Sequence, residues 1–565
     1  MTAITPQQSA LNVPTSSKRN RTIKRIISSV LIILVLSIPY VIAFSNQNEN
    51  WQFSGFMLFI EDGNSYLGKM RLGGSNDFNF HLFYTSEAHQ GVSLTYLFYI
   101  LTGWLIEKFI PETHPNYTQG LILGYHALRI LADLFYLTIL WRFIRLYVYS
   151  NITRYTAFIF ATLGGGIGWL FLFSGQQEWM GGGLGLPPEF YIPEGFSTIV
   201  LFGLPHLAIA RGSLLLGFLL LFKALKSDKY WIRYSILAGL SWIVVVLCVP
   251  FYFAVISALL GVWGCLIWLQ KKVFPRQFTL VSVVAYSIII PVFIYVFVTY
   301  NLNPAFRIWS EQVVLLSASP LGYLVGYCLL IGLTIPAYRW AWKKGRTHIR
   351  YLLLVGWIVI VPILVYLPLN VQRRLAEGVI VPLAILAAYG VERIANGRRW
   401  IIVTAWFVLS LSSIFFLAGS ILNSLTLQPL VYLPTAQINA MNWLNQNAPV
   451  NAVVLSSENT GSYIPAWTHL RVYVGHTVET LDWYRKLDVV EAFYTGALDP
   501  EQSASLLSGE CLPQHPDLCS DPIDYVWVGP LERENFTDVN FSLSADWEII
   551  YNDNGYVIYG RTINE

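Results

Sequence analysis

The sequence predicts a polytopic α-helical membrane protein that ends in a small extracytoplasmic α/β domain. Of its 565 residues, 55% are apolar and only 12% are charged, whereas about a quarter of the residues of soluble proteins carry charge. The mean hydropathy of +0.51 indicates the same class. Charge is also divided unevenly, because residues 430–565 hold 18 Asp and Glu against 5 Lys and Arg, and the rest holds 15 against 31. These observations exclude an ordinary soluble enzyme and separate a basic-edged membrane part from an acidic tail.

The chain is predicted to begin in the cytoplasm. Residues 1–25 are polar and end in a cluster of Lys and Arg, and the apolar run Ile26–Phe44 that follows is long enough to cross a bilayer core of about 30 Å. Basic residues ahead of a first span hold that end of the chain inside. A cleaved signal peptide is the alternative, but no small-x-small cleavage site follows Phe44, which favours an uncleaved anchor.

Further apolar runs bring the predicted number of spans to about eleven, or twelve if residues 91–110 also cross. Connections rich in Lys and Arg alternate with connections poor in them, and placing the rich set in the cytoplasm puts the tail outside. The runs lie at 119–141, 155–174, 198–224, 235–250, 252–269, 278–300, 314–336, 350–369, 378–395 and 400–421.

Residues 91–110 are apolar enough to span, but a span there would invert the alternation of the segments that follow. We therefore predict an interfacial helix on the outer surface, where Glu107, Lys108 and Pro111 suit its end. In the alternative, 91–110 does cross the membrane and 235–269 forms one long span. The connections rich in Lys and Arg then still alternate with the poor ones.

The predicted membrane domain covers 26–422, with a long first external loop at 45–118, and the external α/β domain covers 423–565. In the tail, the spacing of apolar residues predicts one helix and three strands or strand pairs. These lie at Thr435–Asn447, Ala452–Leu455, Tyr525–Val528 and Ile549–Tyr559.

Two cysteines, Cys511 and Cys519, flank a Pro-containing loop in the tail. Outside the cell a disulfide between them is favoured, because disulfides form and persist in oxidising compartments. A metal-binding pair is the alternative, but no second Cys/His pair accompanies them.

Adjacent carboxylates, Glu61 and Asp62, lie just beyond the first span. Bringing two carboxylates near lipid is costly unless they bind a metal, a cation or a proton. Paired carboxylates also suit general-base catalysis, because a like-charged neighbour raises one pKa towards neutrality. The alternative is a solvated loop with an Asp-Gly turn.

Further along the same loop lie His81, Glu87 and His89. Together with Glu61 and Asp62 they have the oxygen and nitrogen ligands of a cation site. No HExxH-type spacing supports a metal, which favours the alternative that these are loop histidines with ordinary hydrogen bonds.

Ionisable residues also lie inside predicted spans. His126, Arg129 and Asp133 are spaced to share one face of the second span, and intramembrane charges are functional candidates. The alternative is that Arg129 and Asp133 only neutralise each other. His206 follows Pro205 in a later span and faces a cavity, unless the proline merely kinks the helix.

Three arginines, Arg307, Arg373 and Arg374, break the positive-inside trend because they lie in short external connections. An anionic headgroup or a lipid phosphate accounts for them, since Arg forms bidentate bonds with phosphate oxygens. The alternative is nonspecific contact with outer-leaflet lipids. No Ser-His-Asp order, nucleophile elbow or basic-aromatic stripe is present, so we expect no nucleic-acid partner.

The combination of a first span, the acidic motif Glu61-Asp62, an interfacial helix in the first loop, a span with an early Arg129 and basic external loops resembles the polytopic GT-C glycosyltransferases. That superfamily includes protein O-mannosyltransferases and aminoarabinose transferases. The resemblance covers the architecture of residues 26–420 and short stretches of identity such as EDGNSYLGKMRLG. It implies a bacterial-type plasma-membrane enzyme that moves a sugar from a polyprenyl-phosphate-linked donor to an extracytoplasmic glycan, lipid or protein.

In that family an acidic residue after the first span activates the acceptor or binds the cation, and basic residues on external loops hold the donor phosphate. The resemblance therefore implies Asp62 or Glu61 in the first role. Lys69, Arg307, Arg373 or Arg374 take the second role, while His89, Glu87, His206 and Arg129 remain candidates for a cavity or cation site. The implied cofactor, if any, is Mg²⁺ or Mn²⁺, and the implied partners are the lipid-linked donor and membrane lipids.

Two other classes remain open at this stage. A transporter or flippase for a lipid-linked or anionic substrate would depend on the intramembrane residues rather than on Glu61 and Asp62, although such proteins usually have repeated halves. A noncatalytic assembly or sensor protein would use the acidic tail to bind a partner.

Overall fold

The computed structural model describes residues 15–176, 185–512, 515, 518–536 and 539–561, with side chains from Ile23 onward. Residues 1–14 of the predicted polar tail 1–25 lie outside the described residues. From Thr15 the chain is already helical and continues without a break into the first predicted span.

The part of the chain before the tail is almost entirely helical. Its helices are α1 (Thr15–Asn46), α2 (Ile60–Gly74), α3 (Leu97–Glu107), α4 (Tyr117–Tyr147), α5 (Asn151–Leu163), α6 (Gly168–Phe173), α7 (Ser197–Gly203), α8 (Pro205–Ala224), α9 (Trp231–Cys248), α10 (Tyr252–Lys271), α11 (Arg276–Leu302), α12 (Pro304–Gln312), α13 (Pro320–Gly345), α14 (Arg350–Leu364), α15 (Ile380–Ala395), α16 (Arg399–Leu409) and α17 (Leu411–Leu425). Its short strands are β1 (Trp51–Phe53), β2 (Asn79–Phe80) and β3 (Val92–Ser93).

The predicted class is confirmed, since the described residues include eight helices long and apolar enough to cross a membrane, or nine if the bent pair α16–α17 is one span. The predicted number of eleven spans also included the helices α4 and α14. Helix α4 has 31 residues but carries four charged side chains, and α14 has only 15 residues. Length and apolarity together therefore mark fewer spans than the apolar runs predicted.

The segment 91–110 forms the short helix α3, as expected for an interfacial element. Its 11 residues extend about 16 Å, which is too short for a bilayer core of about 30 Å. The alternative of one long span at 235–269 is wrong, because α9 and α10 are separate helices that break around Pro250.

The acidic motif lies in a helix rather than in a solvated loop. Helix α2 begins at Ile60 and is largely buried. It crosses α3 in backbone contact: a Cβ on Gly73 would lie 1.8 Å from the carbonyl oxygen of Ile100, and one on Gly103 would lie 1.7 Å from that of Met70. The loop prediction failed because the glycines that resemble turn residues are needed here for close helix packing.

The tail forms a mixed five-stranded sheet with helices around it. Its elements are β4 (Tyr432–Pro434), α18 (Thr435–Asn447), β5 (Val453–Leu455), α19 (Glu458–Trp467), β6 (Arg471–Val472), α20 (Trp483–Tyr494), α21 (Pro500–Ser508), β7 (Tyr525–Val528), α22 (Pro530–Asn535), β8 (Trp547–Asp553) and β9 (Tyr556–Arg561). The sheet order is β6-β5-β7-β9-β8, with β5 parallel to both β6 and β7. The predicted helix and strands therefore all occur near their expected positions.

A disulfide joins Cys511 and Cys519 in the tail, eight residues apart. In the chain-entropy model, closing a loop this short stabilises the fold by about 2–3 kcal/mol.

The tail packs closely against the segment that follows the first span. Strand β4 pairs with β1, directly after the first span. The backbone N–H of Val472 at the end of β6 donates to the carbonyl oxygen of Phe83 at 3.1 Å. Lys486 on α20 forms a 2.7 Å ion pair with Glu87. These contacts hold the loop that follows β6 over the N-terminal end of α2.

Candidate functional site

A cavity of about 230 Å³ lies where α2, the tail and the membrane helices meet. In parallel sheets ligands bind beyond the carboxyl ends of the strands, at the point where the strand order reverses. The loop after β6 lies at such an end of the tail sheet, beside β5, and it forms one wall of the cavity. The other walls come from α2, the α9–α10 connection, α11, α12 and the 3₁₀ turn Gln372–Ala376.

The two predicted carboxylates occupy the first turn of α2, where the positive end of the helix dipole favours them. Glu61 is held by the tail, since its Oε1 accepts hydrogen bonds from the backbone N–H of Thr477 at 2.9 Å and from its hydroxyl at 2.8 Å. The side chain of Asp62 lines the cavity and is 47% exposed. Asp62 is therefore the carboxylate that remains open to a ligand.

His476, in the loop after β6, lies beside Asp62, with its Nε2 3.6 Å from Oδ1 of the carboxylate. Burial raises the pKa of Asp62, but the interaction with His476 and the charges of Lys69 and Arg374 outweigh it, so this pKa lies below its usual value of 3.8. Asp62 is consequently ionised at neutral pH.

The protonation of His476 is subject to opposing effects. Burial lowers its pKa, while the neighbouring carboxylates, above all Asp62, raise it above the usual value. Its Nδ1, however, accepts backbone N–H groups from Val478 at 3.1 Å and Glu479 at 3.3 Å. Since these donors oppose a proton on Nδ1, the ring presents an N–H towards Asp62 through Nε2.

A buried ion pair supports this end of the cavity. Nζ of Lys69 lies 2.6 Å from Oε1 of Glu479, and the Lys69 side chain is fully buried. Ser65 donates to the same oxygen at 2.7 Å, and the ammonium lies 3.8 Å from the ring centroid of Tyr96. Burial lowers the pKa of Lys69 in spite of Glu479. Lys69, predicted as a phosphate ligand, is thus already engaged by a carboxylate and does not line the cavity.

Arg373 and Arg374 line the same cavity from the turn Gln372–Ala376. The Nε of each is buried without a hydrogen-bond partner, and neither guanidinium forms a hydrogen bond or ion pair within the part of the chain that the structure describes. Arg373 lies over the ring of Tyr191, 5.7 Å from its centroid. The cavity therefore joins an ionised carboxylate to two cations that form no direct ion pair among the described residues, although the negative charge of Glu194 acts on Arg374.

Aromatic and apolar side chains form much of the remaining surface. Tyr66, Tyr96, Tyr300 and Trp309 line the cavity. Ligand sites are typically apolar and aromatic with a few convergent polar groups. This cavity has that character, with its polar groups concentrated at Asp62 and His476 and at the two arginines.

Other predicted residues lie apart from this cavity, with one exception. His206 lines it and shares a 2.8 Å hydrogen bond with the hydroxyl of Tyr99 through Nδ1. Arg307 is on the exposed face of α12, whereas Trp309 and Ser310 of the same helix line the cavity. The expectation of a phosphate contact from Arg307 fails because the helix turns this side chain away.

The intramembrane residues do not form the predicted pair. Arg129 donates to the carbonyl oxygen of Phe202 at 3.0 Å and to the hydroxyl of Ser37 at 2.9 Å. Both carboxylate oxygens of Asp133 are buried without a partner. Arg129 and Asp133 therefore form no direct ion pair, because the guanidinium donates to the backbone and to Ser37 instead.

The predicted cation set is not brought together. Glu87 binds Lys486, and His89 accepts the backbone N–H of Leu82 at 2.8 Å through Nε2 and donates to the carbonyl oxygen of Glu87 at 2.8 Å through Nδ1. Among the described residues, no group of three or more His, Cys, Asp or Glu side chains converges as metal ligands. The predicted cation set therefore does not form a site of this kind in the part of the chain that the structure describes.

Two site residues, His476 and Glu479, were missed by the sequence analysis. Both lie in the short motif HTVE of the tail. A local signal existed, because a His and a Glu follow a Gly directly after a short apolar run, which is typical of a strand end that faces a ligand. Only the packing of the tail on α2 reveals what they contact.

No known family model matches the chain, and no curated protein sequence matches it. Among solved structures, the chain is similar to the archaeal oligosaccharyltransferase AglB from Archaeoglobus fulgidus in complex with an inhibitory peptide and a dolichol-phosphate, with a TM-score of 0.52 and 12% identity over 88% of this chain and 69% of that one. The Archaeoglobus fulgidus oligosaccharyltransferase tethered with an acceptor peptide gives a TM-score of 0.50 and 11% identity over 89% and 69%.

ArnT from Cupriavidus metallidurans in the apo state gives a TM-score of 0.46 and 11% identity over 94% of this chain and 98% of that one. Because the archaeal structures are only 11–12% identical in sequence to this chain, the similarity shows the fold alone. It extends over both the membrane helices and the tail. The chain is a polytopic membrane protein whose fold is similar to that of the archaeal oligosaccharyltransferase.

Proposed function

We propose that the protein is a membrane glycosyltransferase that moves a sugar from a polyprenyl-phosphate-linked donor to an acceptor outside the cytoplasm. The observation that carries the proposal is the single cavity that joins Asp62 to Arg373 and Arg374. Sugar transfer from a lipid phosphate needs both a group that takes the acceptor's proton and cations that stabilise the leaving phosphate.

In the proposed reaction an acceptor hydroxyl or amide attacks the anomeric carbon of the donor sugar. The bond between that carbon and the phosphate oxygen breaks, and its electrons remain on the phosphate. The acceptor's proton moves to the carboxylate of Asp62, and polyprenyl phosphate leaves. His476 orients Asp62 through Nε2, and Glu61 is held by Thr477 in an assisting position.

The low pKa of Asp62 bears on the timing of the proton transfer. A carboxylate that is a weak base receives a proton readily only from an oxygen that has become acidic. Glycosyl transfer passes through an oxocarbenium-like transition state, in which the departing bond is largely broken before the new one is complete. The acceptor is most acidic at that late stage, so Asp62 is matched to a late proton transfer.

At the other end of the cavity, Arg373 and Arg374 would hold the donor phosphate. Charge-assisted hydrogen bonds from Arg to phosphate are short and strong, and the planar guanidinium matches two phosphate oxygens. Because neither group forms a direct ion pair among the described residues, an anionic ligand would bind them without first breaking one. No step of this mechanism is assigned to a metal, because the described residues include no group of three or more convergent metal ligands.

A transporter is not favoured by any specific contact in the structure. That hypothesis depended on His126, Arg129, Asp133 and His206, and of these only His206 lines the cavity. His126 hydrogen-bonds the carbonyl oxygen of Gly55 at 3.0 Å, as expected of a packing residue.

The proposal is tested with the purified full-length protein in lipid nanodiscs. Undecaprenyl phosphate and undecaprenol are titrated separately, and binding is measured by native mass spectrometry. We expect the phosphate to tighten binding by about tenfold or more, since each hydrogen bond to a charged group is worth about 1.5–3 kcal/mol. Equal affinities for the two lipids would contradict a donor-phosphate site.

Turnover is measured as release of undecaprenyl phosphate from undecaprenyl-phosphate hexoses in the presence of envelope extracts that contain acceptors. This product is common to every sugar, so the assay does not depend on the identity of the acceptor. A protein that binds the lipid phosphate but never releases it from any of these donors would contradict the transferase proposal.

The same proposal requires the tail to lie outside the cytoplasm, with the N-terminus inside, as the Lys and Arg distribution predicts. A cysteine introduced at Asn20 should resist an impermeant thiol reagent in intact cells, and one at Asn554 should react, because Asn554 lies in the exposed turn between β8 and β9. The parent protein without either cysteine is the control. The opposite labelling pattern would contradict this orientation.

A further inference from the structure

A fully buried ion pair lies directly beside the turn that carries Arg373 and Arg374. Nε of Arg211 on α8 lies 2.6 Å from Oε1 of Glu377, and its Nη2 lies 3.0 Å from Oε2. Both side chains are 0% exposed. Glu377 immediately follows the turn Gln372–Ala376, so this bidentate pair attaches the end of the turn to a membrane helix.

Arg211 also connects the turn to the segment that precedes α7. Its Nη2 donates to the carbonyl oxygens of Pro193 at 2.9 Å and Glu194 at 2.7 Å, and its Nη1 donates to Ser197 at 3.2 Å. All three contacts precede or begin α7, while Arg211 lies on α8. One guanidinium therefore joins three parts of the chain.

The backbone of the turn is held by the same group of contacts. The N–H of Gly378 donates to the carbonyl oxygen of Glu194 at 3.0 Å. The indole N–H of Trp357 on α14 donates to the carbonyl oxygen of Glu377 at 3.1 Å. The end of the turn is thus fixed on the side away from the cavity.

The arginines of the turn cannot fix it themselves, because their guanidinium groups have no hydrogen-bond or ion-pair partner among the described residues. Two neighbouring cations also repel each other, which favours their separation or exposure. The backbone N–H of Arg373 donates to the carbonyl oxygen of Leu315 at 3.2 Å and holds the start of the turn, so a second anchor at its end keeps both groups at one cavity wall before a ligand arrives.

We infer that the Arg211–Glu377 pair is a positioning device that presets Arg373 and Arg374 for the phosphate of a lipid-linked donor. The inference rests on the proposed function for the identity of the ligand. Neither Arg211 nor Glu377 lines the cavity, so the pair acts through the turn and not by touching the phosphate. Cations held in place before binding lose little entropy on binding, and misplacement by about 1 Å can cost about 100-fold in rate.

The variants are chosen so that misfolding does not obscure the result. Glu377→Gln keeps the shape of the side chain but leaves a buried, uncompensated Arg211, and such changes are strongly destabilising. The double variant Arg211→Met/Glu377→Met removes both charges and keeps the volume, which is commonly tolerated. Asp133→Asn is the matched control, because Asp133 is also buried in a helix of the membrane part but contacts neither the turn nor the cavity.

Two measurements are made on each purified, monodisperse protein in nanodiscs. Hydrogen exchange monitored by mass spectrometry reports on the amides of residues 371–379 without any ligand. Titration with undecaprenyl phosphate, with undecaprenol as the phosphate-free comparison, reports on affinity. We expect the double variant to exchange faster in 371–379 and in 193–197, which also loses its hydrogen bonds to Arg211, and to bind undecaprenyl phosphate about 10- to 100-fold more weakly. Undecaprenol binding and the behaviour of Asp133→Asn should match the wild type.

The outcomes separate the two proposals. Unchanged exchange at 371–379 in the double variant overturns the positioning role, whatever the lipid results. Faster exchange with unchanged affinity for undecaprenyl phosphate also overturns it, because the turn would then be loosened without consequence. If the wild type does not distinguish undecaprenyl phosphate from undecaprenol, the proposed function fails, and the inferred role in phosphate binding fails with it.

Discussion

The two ends of the cavity satisfy their charges in opposite ways. At the α2 end, Lys69 is paired with Glu479 in the protein interior, and Glu61 is hydrogen-bonded to Thr477. At the other end, Arg373 and Arg374 have no hydrogen-bond or ion-pair partner in the part of the chain that the structure describes. The α2 end pairs its lysine and leaves one carboxylate, Asp62, open, whereas neither arginine of the turn is paired directly.

This difference indicates which charged groups position the site and which groups bind the ligand. Partly buried cations without a direct ion pair lose solvation that the protein restores only in part, and the loss is recovered when an anion binds. The paired charges at the α2 end instead fix the geometry around one carboxylate, Asp62, which stays open to the cavity. We therefore expect substitutions at the α2 end to affect the fold or the chemical step, and substitutions at the turn to affect donor binding.

The largest effect is expected from breaking the paired end. Glu479→Ala leaves the Lys69 ammonium buried without a partner and should lower the free energy of unfolding by about 3–5 kcal/mol. The measurement is thermal unfolding of the purified protein followed by tryptophan fluorescence. Asp546→Asn is the control, because its pair with Arg561 is about 40% exposed on both sides and contributes little to stability. Equal effects of the two variants would contradict the comparison.

The second prediction concerns the open carboxylate. Asp62→Asn keeps the shape of the side chain but removes the group that accepts the proton, so turnover should fall by about 100-fold or more while donor affinity changes little. Release of undecaprenyl phosphate from its hexose conjugates is the measurement. Glu311→Gln, an exposed carboxylate on α12, is the control and should behave as wild type. Wild-type turnover by Asp62→Asn would falsify the catalytic assignment.

The third prediction compares two arginines outside the predicted cytoplasmic connections. Arg374→Ala should weaken binding of undecaprenyl phosphate by about tenfold or more, since it removes a charge-assisted hydrogen bond to phosphate. Arg307→Ala, which removes a guanidinium that faces away from the cavity, should leave the affinity unchanged. Isothermal titration in nanodiscs measures both. A larger loss from Arg307→Ala would show that the surface of α12, and not the turn, binds the phosphate.

The smallest effect is expected at His476. It is among the groups that hold the pKa of Asp62 below 3.8, so Asp62 loses its charge only as the pH falls through this lowered value. His476→Gln should therefore move the acid limb of the turnover profile to higher pH, towards 3.8. At neutral pH, where Asp62 is ionised in both proteins, turnover should fall by less than about tenfold. An acid limb at the same pH in both proteins would contradict contact between the two groups.

Much of the fold could be predicted from local patterns. Apolar runs identified the membrane helices, and period-two runs identified the strands of the tail. The exceptions have physical causes: α2 was hidden because its glycines, needed for contact with α3, resemble turn residues. The span count differed because apolar runs do not weigh helix length and internal charge together.

The candidate site could be predicted only in part. Glu61 and Asp62 were identified because adjacent carboxylates beyond a span are unusual, and Arg373 and Arg374 because they break the charge trend. Charge patterning assigns a residue to a side of the membrane but not to a face of a helix. Arg307 was therefore grouped with the turn arginines although its side chain faces away.

The sequence by itself determined the class of the protein, the extent of its apolar helices and the chemical types available at the outer surface, because these follow from composition and short-range periodicity. Only the tertiary structure decided which of those groups meet. Lys69 and Glu479 are 410 residues apart, and Arg211 and Glu377 are 166 apart. Contacts over such separations result from how whole elements pack, and each buried charge can be satisfied only by the group that packing brings within hydrogen-bonding distance.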